Sequence, residues 1–463
     1  MISEYTYARQ LNENPCNMCM PMGGIIPFKG VEKSMVIIHG SQGCCTYMRR
    51  HISEHFNEPV DVASSSLNEK ETIYGGEKNL KKALDNVMKV YVPTVIGVLT
   101  TCLTETIGED IDRIVSSYRE ERGLDDVFII TVPTPGYGGT HSEGYFMTAR
   151  RIIEEMIKQG SALKYRKKPE KPRINVIIPH ISPADIREIK RLLDTMGADY
   201  ILFPDYSDTL DSPFSRPYKK IPDGGTKILD ICSMTESVAT VQMGVTVDDK
   251  ISPGKYLQKD FGIPLYNIPI PIGIDNTDLF LNTLKMITGN EIPEDLKKER
   301  GRLIDCMIDS HKYNSEGRCA IIGEPENVYA VSKLCMENGV YPAVVATGSK
   351  NNVLLNLLKN ILYESPYDVT ILSETDFTTI RQKCREMGVN IAIGHSDGRY
   401  LTEREGIPLV RYGYPIHDRV GGQRILSVGY RGTMMFLDRI TNTLLERKHR
   451  NYRESLYKQF YTA

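Results

Sequence analysis

Residues 35–45 read Met35-Val36-Ile37-Ile38-His39-Gly40-Ser41-Gln42-Gly43-Cys44-Cys45. The first half is a short apolar, β-branched run, the pattern of a buried strand; the glycine-rich second half turns the chain and delivers Cys44. The pattern recurs at Val95-Ile96-Gly97-Val98-Leu99, which leads into Thr100-Thr101-Cys102. Between the two, residues 77–91 place Leu80, Ala83, Leu84, Val87 and Tyr91 on one helical face and Lys78, Lys81, Lys82 and Asp85 on the other. Short apolar strands separated by amphipathic helices build parallel sheets covered on both faces. The fold class is therefore α/β, read as three doubly wound parallel-sheet domains: 1–165, which carries the cysteines just quoted, 166–315, and 316–463 with a C-terminal helix and tail.

The remaining segments follow from the same rules. Residues 1–15 read as an irregular arm. Thr106-Ile107-Gly108-Glu109 has the spacing of a capping box and predicts a helix over 106–118. A strand at 127–132 leads to the helix-breaking loop Thr134-Pro135-Gly136-Tyr137-Gly138-Gly139 and a helix over 142–159. The basic, Pro-containing stretch 164–173 lacks periodicity and reads as a solvated linker, the clearest domain boundary. Beyond it come a strand at 174–178, an N-cap at Ser182 with Pro183 at the first helical position, a helix buried through Ile186, Ile189, Leu193 and Met196 and ended by Gly197, and a strand at 200–203. The Pro-rich segment 264–273 turns into a helix over 276–288. In the last third, strands at 319–322, 342–346, 368–372, 390–394 and 408–410 alternate with helices at 326–338, 351–362 and 377–387, and the final thirty residues read as a helix plus a polar tail.

The 463 residues carry a formal net charge of −2, which argues against nucleic acid or an anionic membrane as the main partner. No apolar run approaches the roughly 20 residues that span a bilayer, and the N-terminus has no signal-peptide pattern, so a cytoplasmic location is expected. There thiols stay reduced, and ten cysteines point to metal ligation or burial rather than disulfides. Cys232, Cys306, Cys319, Cys335 and Cys384 are scattered singly and read as inert buried thiols. Cys16, Cys19, Cys44, Cys45 and Cys102 crowd into the first 102 residues beside Gly and Pro. Cys44 and Cys102 fall where ligands bind in open α/β sheets, beyond the carboxyl ends of strands, and Cys102 stands just before a helix whose amides favour a thiolate. Gly23, Gly24, Gly40 and Gly43 would let backbone approach a bulky inorganic group. We read Cys19, Cys44 and Cys102 as brought to one place, in surroundings that suit zinc or an iron–sulfur cluster. Zinc has only the Cys16–Cys19 pair in its favour, and a redox dithiol there would be bracketed by Pro15 and Pro21. Three ligands are too few for a cluster within one chain, so a partner chain would supply the rest.

Taken in order, Cys19-Met-Pro-Met-Gly-Gly24, His39-Gly-Ser-Gln-Gly-Cys44, His55-Phe-Asn-Glu-Pro59, Thr100-Thr-Cys-Leu-Thr-Glu-Thr-Ile-Gly-Glu-Asp110 and Thr134-Pro-Gly-Tyr-Gly-Gly-Thr-His141 resemble the motifs of nitrogenase component-1 proteins. Phe203-Pro-Asp205, Gly224-Gly-Thr226, Pro271-Ile-Gly273, Glu299-Arg-Gly-Arg302 and Arg411-Tyr-Gly-Tyr-Pro-Ile-His-Asp-Arg419 extend the resemblance over nearly the whole chain. It is to the β-type half of the family, the nitrogenase β chain and the cofactor-assembly protein NifN. The resemblance implies three α/β domains. It also implies that Cys19, Cys44 and Cys102 are this chain's ligands to an iron–sulfur cluster shared with an α-type subunit of a heterotetramer. That cluster would be the P-cluster or a simpler four-iron type, fed with electrons by an ATP-dependent iron protein that docks transiently. An iron–molybdenum-type cofactor would belong mainly to the partner, and with no Walker A motif here, ATP hydrolysis belongs elsewhere.

Within the family, all three thiols are present, as in catalytic β chains. Gly136 stands where those chains usually carry a Ser that can bind the oxidised cluster. Gly421-Gly-Gln-Arg424 and Gly394-His-Ser-Asp-Gly-Arg399 look more like NifN-type and nitrogenase-like reductases. The expectation drawn is a NifN-type scaffold for cofactor assembly. The alternatives are a catalytic β chain reducing dinitrogen, a nitrogenase-like reductase of another small substrate and, from the Cys16–Cys19 pair, a zinc-stabilised binding protein. His39 and His141 flank the cluster loops and are expected to hold turns by hydrogen bonds. Cys45 is expected to be buried, Cys16 to be a plain thiol near the arm, and the loop carrying His417 and Arg419 to face the subunit interface.

Overall fold

The computed structural model describes residues 2–6, 14–124, 126–160 and 172–461. Its strands form three sheets, all parallel. The first contains β2 (Ser34–His39), β3 (Ala63–Ser64), β4 (Val95–Thr100) and β5 (Phe128–Val132) in the order β3-β2-β4-β5. The second contains β6 (Arg173–Ile177), β7 (Asp199–Phe203), β8 (Ala239–Met243) and β9 (Leu265–Ile268), ordered β7-β6-β8-β9. In the third, β1 (Ile2–Thr6), β10 (Arg318–Ile322), β11 (Tyr341–Ala346), β12 (Val369–Ser373), β13 (Ile391–Gly394) and β14 (Leu409–Arg411) run in the order β1-β12-β11-β10-β13-β14. The α/β class and the three parallel sheets match the sequence expectation. By compactness the described residues group into two units: Met18–Ile268 with Arg419–Arg424, holding the first two sheets, and the rest, holding the third. Among the described residues no helix is long and apolar enough to cross a membrane.

The first sheet shows why a doubly wound layer forms. Its helices are α1 (Met20–Lys29), α2 (Gln42–Phe56), α3 (Glu69–Tyr74), α4 (Glu77–Tyr91), α5 (Cys102–Thr106), α6 (Ile111–Arg122) and α7 (His141–Gly160). Side chains alternate along a strand. Met35, Ile37, Ile96 and Val98 face one way and pack with Leu80, Leu84 and Val87 of α4 and Ile114 and Tyr118 of α6. The intervening positions face α1: a Cβ on Gly97 would stand 2.4 Å from the Phe28 ring, and Leu99 lies against Gly24. β2 and β4 are buried along their whole length.

Several local expectations are corrected. The stretch after Cys19 is helical. It opens α1, whose residues Met20 to Phe28 are all buried, with Pro21 in its first turn and Pro27 inside it. Gly23 and Gly24 serve helix packing rather than an inorganic group. A Cβ on Gly23 would lie 1.9 Å from the His141 carbonyl oxygen, and one on Gly144 would lie 2.0 Å from that of Met20. The expected arm at 1–15 contains β1, paired in parallel with β12 from Ile2↔Val369 to Thr6↔Ser373. The helix expected over 106–118 is two helices, α5 and α6, parted at Gly108, whose φ of +72° breaks the helix. Asp110, not Thr106, caps α6 through the Arg113 amide at 3.0 Å. The polar tail is helical: one helix runs from Gly429 to Tyr461. Of the expected linker 164–173, all but the last two residues lie outside the described residues, as does the boundary at 165.

Candidate metal centre

Three helices present their N-terminal turns with a cysteine in each. Cys19 is the N-cap of α1, Cys44 lies in the first turn of α2 behind the N-cap Ser41, and Cys102 is the first residue of α5 behind the N-cap Thr101. The strands explain the placement. β2 and β4 are neighbours with His39 opposite Thr100, so the loops that follow them leave the sheet side by side. Gly40 makes that closeness possible, since a Cβ there would stand 2.3 Å from Thr101 Oγ1. Cys19 arrives from α1, anchored by the His141 amide on the Met18 carbonyl at 3.0 Å and by a bridge to Thr140.

Cys19 and Cys102 meet at Gly136. Its amide donates to Cys102 Sγ at 3.1 Å, and a Cβ on it would lie 2.9 Å from Cys19 Sγ and 3.4 Å from Cys102 Sγ. Ser41 Oγ donates to Cys44 Sγ at 3.6 Å. The Cys19 thiol is pushed up to about 11, by burial first and then by the negative charge that Cys102 and Cys44 would carry. Such thiols ionise together only if a cation compensates them. Among the described residues no three Cys, His, Asp or Glu side chains are gathered tightly enough for a single metal ion. Cys102 is exposed, and Cys19 and Cys44 are half-buried. The three sulfurs thus form an open, electron-rich face with room left by Gly136, which fits a polynuclear cluster better than one zinc ion.

A buried network supports this face. His39 Nε2 lies 2.6 Å from Glu109 Oε2, and its Nδ1 is 2.9 Å from Ser65 Oγ. Ser65 Oγ accepts from the Gly40 amide at 3.0 Å, at the start of the Cys44 loop. Thr104 Oγ1 donates to the carbonyls of His39 at 3.2 Å and Thr101 at 3.0 Å, tying the Cys102 turn to the end of β2. Behind Cys19, His141 Nε2 is 2.7 Å from His180 Nδ1, with the rings stacked.

Known proteins share this arrangement of chain. The family description "Nitrogenase component 1 type Oxidoreductase" matches residues 19–445. The chain belongs to this family. The nitrogenase molybdenum-iron protein beta chain of Clostridium pasteurianum is 35% identical over 453 residues, 97% of either chain. That of Methanococcus maripaludis is 36% identical over 447 residues, 94% of either. The nitrogenase vanadium-iron protein beta chain of Trichormus variabilis is 31% identical over 452 residues, 94% of this chain and 95% of its own. A solved chain described as "Nitrogenase Cp1 at pH 6.5" superimposes with a TM-score of 0.89 at 35% identity, covering 96% of this chain and 95% of its own. Its likeness is to the β-type chains of component 1.

In this component-1 chain the other cysteines lie in different settings. Cys16 is 2% exposed in the core of the third sheet, beside Ala346, Leu372, Phe377 and Cys384, and burial raises its thiol well above the ordinary value. That enclosure removes the thiol on which the zinc reading depended. Cys45 is buried, with its thiol on the Val62 carbonyl at 3.5 Å. Cys319, Cys335 and Cys384 are buried as expected, whereas Cys232 and Cys306 are only half-buried, Cys306 sharing a 3.5 Å contact with Asp438. The His39 ring meets Ser65 and Glu109, and the His141 ring meets His180. His417 Nε2 lies 3.4 Å from Asp397, whose other oxygen is 3.4 Å from His395; burial pushes the Asp397 carboxyl up, and the two imidazoles outweigh it and hold it at about 2.

The sequence reading missed Ser41, Ser65, Thr104, Glu109 and His180. Ser41 carried a signal: a Ser three residues before a Cys at a strand-to-helix turn is an N-cap facing the first turn. Glu109 was assigned to helix capping, and its carboxylate is instead claimed by His39 and the Gly76 amide.

Proposed function

We propose that this chain is the β-type half of a nitrogenase-family heterotetramer, in which Cys19, Cys44 and Cys102 hold one side of an iron–sulfur cluster shared with an α-type partner. The observation that carries the reading is the convergence of these thiols from three helix N-termini, Cys19 and Cys102 meeting at the bare backbone of Gly136 and Cys44 near enough for its charge to act on Cys19. When bound, such a cluster supplies one-electron transfer, here from an ATP-dependent iron protein toward the partner's cofactor. The chain's own residues set its seat. Helix N-termini favour negative charge at all three sulfurs. The Gly136 amide and Ser41 hydroxyl donate to two of them, which eases reduction by sharing the added charge. His39, Glu109, Ser65 and Thr104 fix the spacing of the two loops that leave β2 and β4. Iron and acid-labile sulfide analysis of the anaerobically purified complex tests this, and a complex without iron overturns it.

Within that role, the absence of a hydroxyl at Gly136 favours a scaffold for cofactor assembly of the NifN type. A second reading, the catalytic β chain, is favoured by the names of the relatives and by the full set of three thiols. Acetylene or dinitrogen reduction by the complex with its iron protein separates them: robust turnover assigns the catalytic role.

A further inference from the structure

Helix α1 has Cys19 before its first residue and a lysine as its last. Lys29 lines an open cavity of about 600 Å³ whose wall comes from residues 58–61, 209–210, 212–216 and 218–223 of the same compact unit. A lysine at a helix C-terminus can turn back on its own last carbonyls. Lys29 does not: its Nζ donates to the Asp61 carbonyl at 2.8 Å, and it makes no ion pair among the described residues. Burial pushes its ammonium down to about 8, against the opposing pull of Asp61. Lys29 is half-buried, and a partly desolvated cation without an acid in contact carries a cost that an anion joining it offsets.

The acids of the cavity are already engaged. The Asp61 carboxylate meets Arg49 at 3.3 Å and Tyr91 at 3.0 Å, Asp223 pairs with Lys219, and Glu58 accepts from the Ser212 amide at 3.1 Å. Two further cations of the wall have no acid partner among the described residues: Arg216 lies over the Phe214 ring, 5.6 Å from its centroid, and Lys220 donates to the Val90 carbonyl at 3.2 Å. Phe214 and Tyr218, 87% and 60% exposed, line the same space and offer planar apolar surface, Arg216 lying over the Phe214 ring.

We propose that this cavity binds a small organic anion, its carboxylate or phosphate head on Lys29 and its planar body against Phe214 and Tyr218. The site lies away from the thiols and stands whether or not they hold a cluster.

The test is reductive methylation of the purified complex at mildly alkaline pH, quantified lysine by lysine by mass spectrometry. The probes are phenyl phosphate, benzoate and the uncharged benzyl alcohol, each at millimolar concentration. Either anion is expected to lower labelling of Lys29 several-fold, while benzyl alcohol leaves it unchanged; protection by one anion alone names the head group. The proposal is overturned if neither anion protects, if benzyl alcohol protects equally, or if Lys29 is not labelled even without a probe. By calorimetry, Lys29→Met is expected to weaken the protecting anion about tenfold, the loss of one charge-assisted hydrogen bond. An unchanged affinity in that variant overturns the proposal as well.

Discussion

The Gly136 amide and the Cys102 sulfur are 3.1 Å apart, and the side of Gly136 that a methyl group would occupy faces the Cys19 sulfur at 2.9 Å. One residue therefore both donates to a thiolate and keeps the space between two of them open. Gly136→Ala retains the amide and fills the space. The expected outcome is a complex with clearly fewer irons and a stability within about 1 kcal/mol of the parent, because the position lies on an exposed loop. Iron analysis beside chemical denaturation reads both quantities, and a full complement of iron in the variant would show that the space is not needed.

Cys44 and Cys16 give opposite expectations although both come from the same N-terminal group. Cys44→Ala removes a thiol from the open face and should cost the cluster while the chain stays folded. Cys16→Ala removes a sulfur enclosed by Leu372, Phe377 and Cys384. It should leave the iron untouched and lower stability by about 1 kcal/mol through the small cavity left behind. Iron loss on Cys16→Ala would contradict its placement in that core.

What could be read from the sequence and what could not have separate physical causes. Strands such as β2 and β4 were legible because burial on both faces demands an unbroken apolar run, and Cys44 and Cys102 were legible because they follow directly. α1 was not: Cys19-Met-Pro-Met-Gly-Gly24 carries two glycines and a proline, breakers in isolation, yet the glycines admit α7 and the proline sits where no amide bond is lost. β1 was invisible because its partner β12 lies more than 360 residues away, and pairing at that distance leaves no local mark. The lost capping box at Thr106 has the same origin. His39 is remote in sequence, and it takes the carboxylate that a local rule assigned to the helix.

Glu109 offers a pH test. Burial raises its pKa, and the hydrogen bonds with His39 and the Gly76 amide outweigh that, leaving the carboxyl below its ordinary value. With the folded pKa below the unfolded one, the stabilisation is complete above about 4.3 and is lost as pH falls through the folded value. Glu109→Gln is expected to cost about 1–2 kcal/mol at neutral pH, a charge-assisted hydrogen bond reduced to a neutral one. The difference from the parent should shrink toward zero in acid. Denaturation of both proteins across that range checks it, and a pH-independent difference would assign the effect to shape rather than charge.

His141 and His180 act in a higher window. Burial pushes His141 down to about 3, and burial, His141 and His55 together hold His180 well below its ordinary value. Both stay neutral in the folded chain while the unfolded chain takes up protons from about pH 6.5. Stability should be complete above that pH and fall below it, by up to about 1.4 kcal/mol per pH unit for each histidine. The slope of the unfolding free energy just below neutrality measures it, and a flat profile there would mean that the pair is protonated in the fold.

The crossing of α1 and α7 reaches beyond packing. Gly23 lies on the backbone of His141, and Gly144 on that of Met20, the residue next to Cys19. Main chain thus rests on main chain immediately behind one of the three thiols, with no side chain between them to change rotamer. A redox centre exchanges electrons fastest when its surroundings relax little as the charge changes. In the role proposed for Cys19, a sulfur footed on two interlocked backbones would bring little relaxation of its own, and this glycine notch would be the fold's own contribution to low reorganisation energy.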